Sequence, residues 1–277
     1  MKTFPSEHYD EDYFAGLGPG SFRHFVESKG RSLADGRLRY LDMVKLQPGM
    51  KLLDIGCSRG ELVMFCGSKG IDSYGIDYSQ KGLEIGMKYL NFYNEDELMN
   101  IHLLQSDATC LPFKDTYFDR VISFAVLEHL YPWQQEKCFH EIHRVLKPDG
   151  VFVLETHPNE WFERIGYRIT KPFKQLFIER RLENYRERKV LDPGHVNLKN
   201  HISLRRDLQR SGFCCKVWLP RRANFEANVG IAKYVSLCLE AIPGVNMIFR
   251  NSIYGIAAKS KQSLRSFQSL SVDRFYQ

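Results

Sequence analysis

Short apolar runs alternate with longer amphipathic segments along the first half of the chain, and this alternation predicts a parallel α/β sheet. Residues 51–55 form an apolar strand pattern, followed by a turn with Gly56 and Gly60 and by a helical pattern over 61–68. A strand, a tight glycine turn and a helix form the unit that binds adenosine-type cofactors at the carboxyl end of a parallel strand. Six further strands are predicted, at 74–77, 103–108, 118–124, 151–155, 213–219 and 252–258.

Acidic residues stand where two of these strands end. Asp77 closes the second strand, 23 residues after Asp54, and an acid at that place can accept hydrogen bonds from both ribose hydroxyls of a cofactor. The alternative is that Asp77 only caps the next helix, which is predicted over 80–92. Asp107 and Ala108 end the third strand, where an acid and a small residue suit the amine and the face of an adenine.

The order of these elements resembles a class I S-adenosylmethionine (SAM)-dependent methyltransferase of the branch that acts mainly on small molecules, lipids and sugars. The resemblance covers about residues 40–157 closely and 195–258 more loosely, with Ser58 where the family usually has the middle of three glycines. It implies a Rossmann-like, doubly wound sheet of seven mostly parallel strands, the last antiparallel, with a helical insert after the fifth. By resemblance the cofactor residues are Asp54, Gly56, Cys57 and Gly60 around the methionine part, Asp77 and Tyr78 at the ribose and adenine, Asp107 and Ala108 at the adenine, and Phe124 near the transferring methyl.

Other cofactor and substrate classes fit the motifs less well. Gly56 and Gly60 are four positions apart with Ser58 between them, which breaks the Gly-x-Gly-x-x-Gly spacing of nicotinamide dehydrogenases, and the Lys-Ser/Thr ending of a P-loop is absent. The Asn/Asp-Pro-Pro-Tyr/Phe motif of base amine methyltransferases and the Pro-Cys pair of cytosine C5 enzymes are also absent. An RNA methyltransferase and a non-catalytic scaffold on the same fold remain alternatives.

Three histidines are candidates for a general base, which a hydroxyl acceptor requires. His129 follows the fourth strand, His195 lies in a loop predicted above the site, and His157 follows the fifth strand. For Glu128, next to His129, a catalytic role and a packing role fit the sequence equally well. We predict no metal, because His140 and His143 have no third ligand at a suitable spacing.

The charge of the chain is divided unevenly. Residues 1–158 contain 17 Lys and Arg against 23 Asp and Glu, whereas residues 159–277 contain 22 against 10. The basic excess includes a helical pattern over 174–189 with Arg180 and Arg181, which suits either a membrane surface or anionic ligand, or an ordinary covering helix with exposed charges. The expected partner is therefore a small-molecule or lipid-linked, anionic acceptor. A peripheral membrane contact through 160–190 is a further expectation, and RNA is the less favoured partner.

Aromatic residues near the start and the remaining composition complete the predicted organisation. The segment with Tyr9, Tyr13 and Phe14 resembles the N-terminal lid that closes over cofactor and substrate in several branches of this family, and its aromatic residues favour burial over the alternative of a disordered tail. Seven cysteines without a Cys-x-x-Cys pair, and no apolar segment long enough for a signal peptide or a bilayer span, predict a reduced, cytoplasmic protein. The predicted units are the lid and first helix (1–45), the SAM-binding core (46–158), a basic helical insert over the acceptor site (159–194), substrate-side elements (195–258) and a loose tail (259–277).

Overall fold

One sheet organises the protein. The computed structural model describes residues 5, 9, 13–14, 19–166, 168–169, 194–220, 247–248 and 250–266. The strands in this part of the chain are β1 (Lys51–Ile55), β2 (Asp72–Asp77), β3 (Ile101–Gln105), β4 (Phe118–Phe124), β5 (Leu146–Thr156), β6 (Cys214–Trp218) and β7 (Ile253–Ala258).

These seven described strands lie in the order β3-β2-β1-β4-β5-β7-β6. Strands β1 to β5 pair in parallel, and β7 pairs antiparallel with both β5 and β6. The predicted fold class, a doubly wound and mostly parallel sheet with an antiparallel last strand, is confirmed. The strand order reverses between β1 and β4, and in such sheets ligands bind outside the carboxyl ends of the strands at that point.

Helices connect the strands and cover both faces of the sheet. None of those described is long and apolar enough to cross a membrane. They are α1 (Pro19–Ser28), α2 (Asp35–Val44), α3 (Glu61–Gly67), α4 (Gln80–Met87), α5 (Glu95–Leu98), α6 (Pro132–Val145), α7 (His201–Arg210) and α8 (Lys261–Arg265), with 3₁₀ turns at Leu90–Phe92 and Leu127–His129 and a π-helical turn at Phe162–Gly166.

The central strands are apolar at consecutive positions because both of their faces are buried. Neighbouring residues in a strand point to opposite faces, so each strand contributes to two separate cores. One core lies against α6 and α7 and the other against α2 and α3. The first contains Leu53, Val121 and Phe152, and the second contains Leu52, Ile122 and Val153, all of them fully buried.

Two helix predictions differ from the structure. The segment 80–92 divides into α4 and a separate 3₁₀ turn. We predict Ser203 as the N-cap of a helix from Leu204 to Ser211, but the cap is Asn200, whose side chain accepts the N–H groups of Ile202 and Ser203. Asparagine caps a helix as well as serine does, and Ser203 instead completes the reciprocal capping box from the third helical position. The helix predicted over 174–189 lies outside the described residues.

Candidate functional site

The turn after β1 is built from three residues in the left-handed region. Gly56 and Gly60 have φ of 73° and Ser58 has φ of 56°. A Cβ atom on Gly56 would lie 2.3 Å from Cγ2 of Val126, so only glycine fits where the loop after β4 packs against this turn. The contact brings the carboxyl ends of β1 and β4 together, at the edge where the strand order reverses.

Asp77 holds the same turn from the end of β2. One carboxylate oxygen accepts the N–H of Ser58 and the other accepts the N–H of Ser79, both at 2.8 Å. Burial raises the pKa of Asp77 to about 6, while these backbone hydrogen bonds act in the opposite direction. The carboxylate thus fixes the turn to the start of α4 in addition to any contact with a ligand.

Asp54 lies beside Asp77 and is 6% exposed. Burial raises its pKa to about 7; Arg37 opposes the shift, and Asp77 adds to it through repulsion between the two carboxylates. The hydroxyl of Ser58 is buried in the same turn and has no hydrogen-bond partner. A cationic ligand with polar atoms would stabilise all three groups, and SAM, with its sulfonium and ammonium charges, fits this set of residues.

The other predicted cofactor residues lie along the same edge of the sheet, with one difference in orientation. Asp107 accepts the N–H of Thr109 at 2.7 Å, and Tyr78 is 46% exposed directly after Asp77. Ala108 and Phe124 are partly buried. The Cys57 thiol, however, is buried against Gly75 of β2, within the core that contains Val63. The side chain of Cys57 therefore packs in the core. A role for Cys57 in cofactor binding stays a prediction, and this packing does not support it.

Aromatic residues before the first helix contact this edge. The carbonyl oxygen of Tyr9 accepts the Ser79 hydroxyl at 2.9 Å, and the Tyr9 hydroxyl lies 3.2 Å from Nδ1 of His129. The ring of Phe14 lies so close to Gly82 of α4 that a Cβ there would approach it to 2.9 Å. Arg59, which is 1% exposed, donates a hydrogen bond to the carbonyl oxygen of Phe14. These contacts are those a lid would make, and the lid itself stays a prediction.

The three histidines predicted as candidate bases are brought together by the fold. The ring centroids of His129 and His195 are 4.9 Å apart, and those of His157 and His195 are 6.4 Å apart. His129 stands after β4 and His157 after β5, while His195 approaches from a loop distant in sequence. That loop is placed by the N–H groups of Val196 and Asn197, which both donate to the carbonyl oxygen of Glu128.

Two buried carboxylates accompany the histidines. Glu128 is 1% exposed, and its Oε2 accepts the hydroxyl of Thr156 at 2.8 Å. Glu155, which is 3% exposed, places Oε1 3.2 Å from Nδ1 of His157. Burial raises the pKa of Glu128 to about 7, and His157 opposes this shift. We name Glu128, His129, Glu155, His157 and His195 the catalytic cluster because it contains the three histidines predicted as candidate bases; a catalytic role for it stays a prediction.

Glu155 was missed by sequence reasoning. It ends the apolar run of β5, two positions before His157, and an acid at the carboxyl end of a buried parallel strand was the signal that could have revealed it. The same signal identified Asp77 on β2.

Ser58 is expected to carry a measurable cost in stability. A residue with a side chain in the left-handed region is disfavoured by roughly 1–2 kcal/mol relative to glycine, and the Ser58 hydroxyl is buried without a partner. We therefore expect Ser58→Gly to stabilise the ligand-free protein by about 1 kcal/mol, a rise of roughly 2–4 °C in Tm. Thermal denaturation measures this, and an unchanged or lower Tm would contradict the strain.

Comparison with known families agrees with the geometry. Residues 53–154 match the family model described as a methyltransferase domain. They span β1 to β5 and so contain the glycine turn, both acids beside it and the end of β4. Over these residues the chain matches a methyltransferase domain, and its sheet has the fold of the class I, SAM-dependent methyltransferases.

Curated relatives match part of this chain. A methyltransferase of Synechocystis is 32% identical over 123 residues, 44% of this chain and 54% of the relative. The cyclopropane-fatty-acyl-phospholipid synthase of Escherichia coli is 32% identical over 116 residues, 42% and 28%. The demethylmenaquinone methyltransferase of Staphylococcus epidermidis is 35% identical over 125 residues, 43% and 48%. The matches thus span about half of these relatives or less.

Solved structures extend the likeness in fold beyond the shared domain. The structure of a SAM-dependent methyltransferase from Archaeoglobus fulgidus aligns with a TM-score of 0.54 at 20% identity. The alignment covers 86% of this chain and 99% of that one. At this identity the likeness establishes a common fold.

Proposed function

We propose that the protein transfers a methyl group from SAM to an oxygen of a small or lipid-linked acceptor; a nitrogen acceptor would use the same site. One observation carries the proposal. The catalytic cluster lies at the carboxyl ends of β4 and β5, and the loop leading to it packs directly on the glycine turn through Val126 and Gly56. The residues proposed to bind the cofactor and those proposed to accept the proton therefore lie at the same edge of the sheet.

The turn and its two acids would bind and orient the donor. When bound, SAM supplies a methyl group whose bond to sulfur breaks, with the electron pair passing to sulfur, as the acceptor oxygen bonds to the carbon. Asp77, already held by Ser58 and Ser79, would accept the ribose hydroxyls, and the carboxylate of Asp54 would favour the positive charge of the methionine part. Holding the two reactants in line supplies much of the rate in a reaction of this kind.

His157 is the base that the geometry favours among the three histidines. Its Nδ1 lies 3.2 Å from Glu155 and 3.8 Å from Glu128, so both carboxylates stabilise the ring when it is protonated. With Nδ1 directed at the carboxylates, Nε2 would take the proton of the acceptor hydroxyl. A positioned base contributes about 10²–10⁴-fold to the rate.

The class of acceptor is supported by the relatives and by the charge of the chain. The relative from Escherichia coli is named for a fatty-acyl phospholipid and that from Staphylococcus epidermidis for a menaquinone, both of them lipids. The excess of Lys and Arg after residue 158 favours an acceptor with negative charge. Arg180, Arg181 and most of the basic segment lie outside the described residues, so contact with a membrane surface is part of the proposal only.

Transfer of a labelled methyl group tests the proposal. The purified protein would be incubated with [methyl-³H]SAM and separate fractions of lipids, small phosphorylated metabolites and RNA. We expect label in the lipid or small-molecule fraction, and suppression of that label by S-adenosylhomocysteine. Label in RNA alone would replace the proposed acceptor class with RNA. Binding of SAM without transfer to any fraction would favour the scaffold alternative.

A further inference from the structure

The catalytic cluster contains three side chains whose ligand atoms converge. One ligand atom each from Glu128, His129 and His195 lies within 4.8 Å of the other two. A cation bonded to all three at about 2.1 Å would need these atoms roughly 3–3.5 Å apart. Rotation of the two imidazole rings about their side-chain bonds would have to bring the three atoms to that spacing when an ion binds.

The state of Glu128 points independently to a ligand. Its carboxylate is 1% exposed, yet Oε1 accepts no hydrogen bond from any part of the chain that the structure describes. The other oxygen accepts the Thr156 hydroxyl, and Nδ1 of His157 lies 3.8 Å from Oε1. A buried carboxylate oxygen without a hydrogen bond is costly, and a cation beside it would remove that cost.

We propose that Glu128, His129 and His195 form a binding site for a divalent first-row metal ion, with Zn²⁺ the best match. Two imidazole nitrogens and one carboxylate oxygen are a donor set that Zn²⁺ takes in catalytic sites, where a further position stays open for water or substrate. Tyr9 lies 3.2 Å from one ring nitrogen of His129, and such a contact fixes the orientation of a ligating ring.

A bound ion would make the site favour acceptors that carry a hydroxyl group. This step rests on the proposed function: a hydroxyl oxygen bound at the open position would lose its proton more readily, because a metal ion lowers the pKa of a coordinated hydroxyl. His157, beside the three ligands, would receive that proton. The acceptor would then be an alcohol or a phenol, with the methyl group forming an ether at the metal-bound oxygen.

Spectroscopy with Co²⁺ tests the site directly. Untagged protein, stripped with a chelator, would be titrated with Co²⁺ and followed by its visible d–d absorption, and then with Zn²⁺ as a competitor. We expect one ion per chain and displacement by Zn²⁺. Glu128→Gln keeps an acceptor for Thr156 and His195→Ala changes a loop residue, so both should fold; each should weaken binding by about 100-fold or more, since even indirect contacts to a metal are worth 10–100-fold.

A matched control separates this site from adventitious binding. His140, exposed on α6, is outside the catalytic cluster, and His140→Ala should bind Co²⁺ as the intact protein does. No binding by the intact protein, or equal binding by all variants, would overturn the metal site. SAM binding measured in the same samples keeps the two proposals apart. Loss of metal binding alone leaves methyl transfer standing, and metal binding without SAM binding removes only the proposed function.

Discussion

Asp77→Ala is expected to weaken SAM binding by about 100-fold, roughly 3 kcal/mol. The substitution removes the carboxylate proposed to bind the ribose, and hydrogen bonds to a charged group are worth about 1.5–3 kcal/mol. It also removes the acceptor of the Ser58 and Ser79 N–H groups, so the glycine turn loses the contact that holds it to α4. Calorimetric titration of the variant and the intact protein gives the difference.

Asp72→Ala is the control for that experiment. Asp72 begins the strand that Asp77 ends, so it lies at the opposite edge of the sheet, where it pairs with Lys51 and His102. We expect unchanged affinity for SAM in this variant. Equal affinity for SAM in the Asp77→Ala protein and the intact protein would contradict the assignment of Asp77 to the ribose. An equal loss of affinity in both variants would mean that any substitution in β2 disturbs the site, and this too would contradict a specific role for Asp77.

His157→Ala is expected to lower kcat by about 10²–10⁴-fold with little change in SAM binding. The ring is 41% exposed, so its removal should not create a large cavity, and its Nδ1 faces Glu155 at 3.2 Å. Steady-state kinetics on the acceptor found by methyl labelling gives kcat, and calorimetry gives the affinity for SAM. The pH profile of kcat should lose its acidic limb, because that limb reports protonation of the base.

Two further variants distinguish a base from a packing residue. Glu155→Gln keeps the shape of the side chain but removes the charge that stabilises the protonated ring, so a positioning role predicts a smaller fall in kcat and a shifted pH profile. His140→Ala, away from the cluster, should behave as the intact protein does. An unchanged kcat in His157→Ala would remove His157 as the base and return the role to His129 or His195.

The sheet could be predicted from the sequence because its central strands are buried on both faces. Short segments with apolar residues at consecutive positions, between glycine or polar turns, predict β1 and β4 at their observed bounds. The first residue of a helix is harder to predict from the sequence. Asn200 and Ser203 are both suitable N-cap residues, and only the structure shows that Asn200 is the cap. The segment 80–92 was predicted as one helix because its break after Met87 has no proline to mark it.

The candidate site was predictable in its parts but not in its assembly. Asp54 and Asp77 could be found because the glycine turn sets their spacing in sequence. The sequence indicates each of the three histidines separately, as a residue that follows a strand or lies in a loop above the sheet. Their contact depends on the loop of His195 reaching Glu128, which spacing does not reveal. For the same reason the sequence predicted no metal ligands, whereas the fold places Glu128, His129 and His195 together.

Calorimetric titration of the intact protein with SAM and with S-adenosylhomocysteine measures whether the glycine turn and its acids bind SAM. We expect saturable binding of both at one site per chain, with micromolar affinity that falls by about 100-fold in Asp77→Ala and is unchanged in Asp72→Ala. Absence of binding by either compound to folded protein would contradict this role of the turn, and with it the proposed methyl transfer.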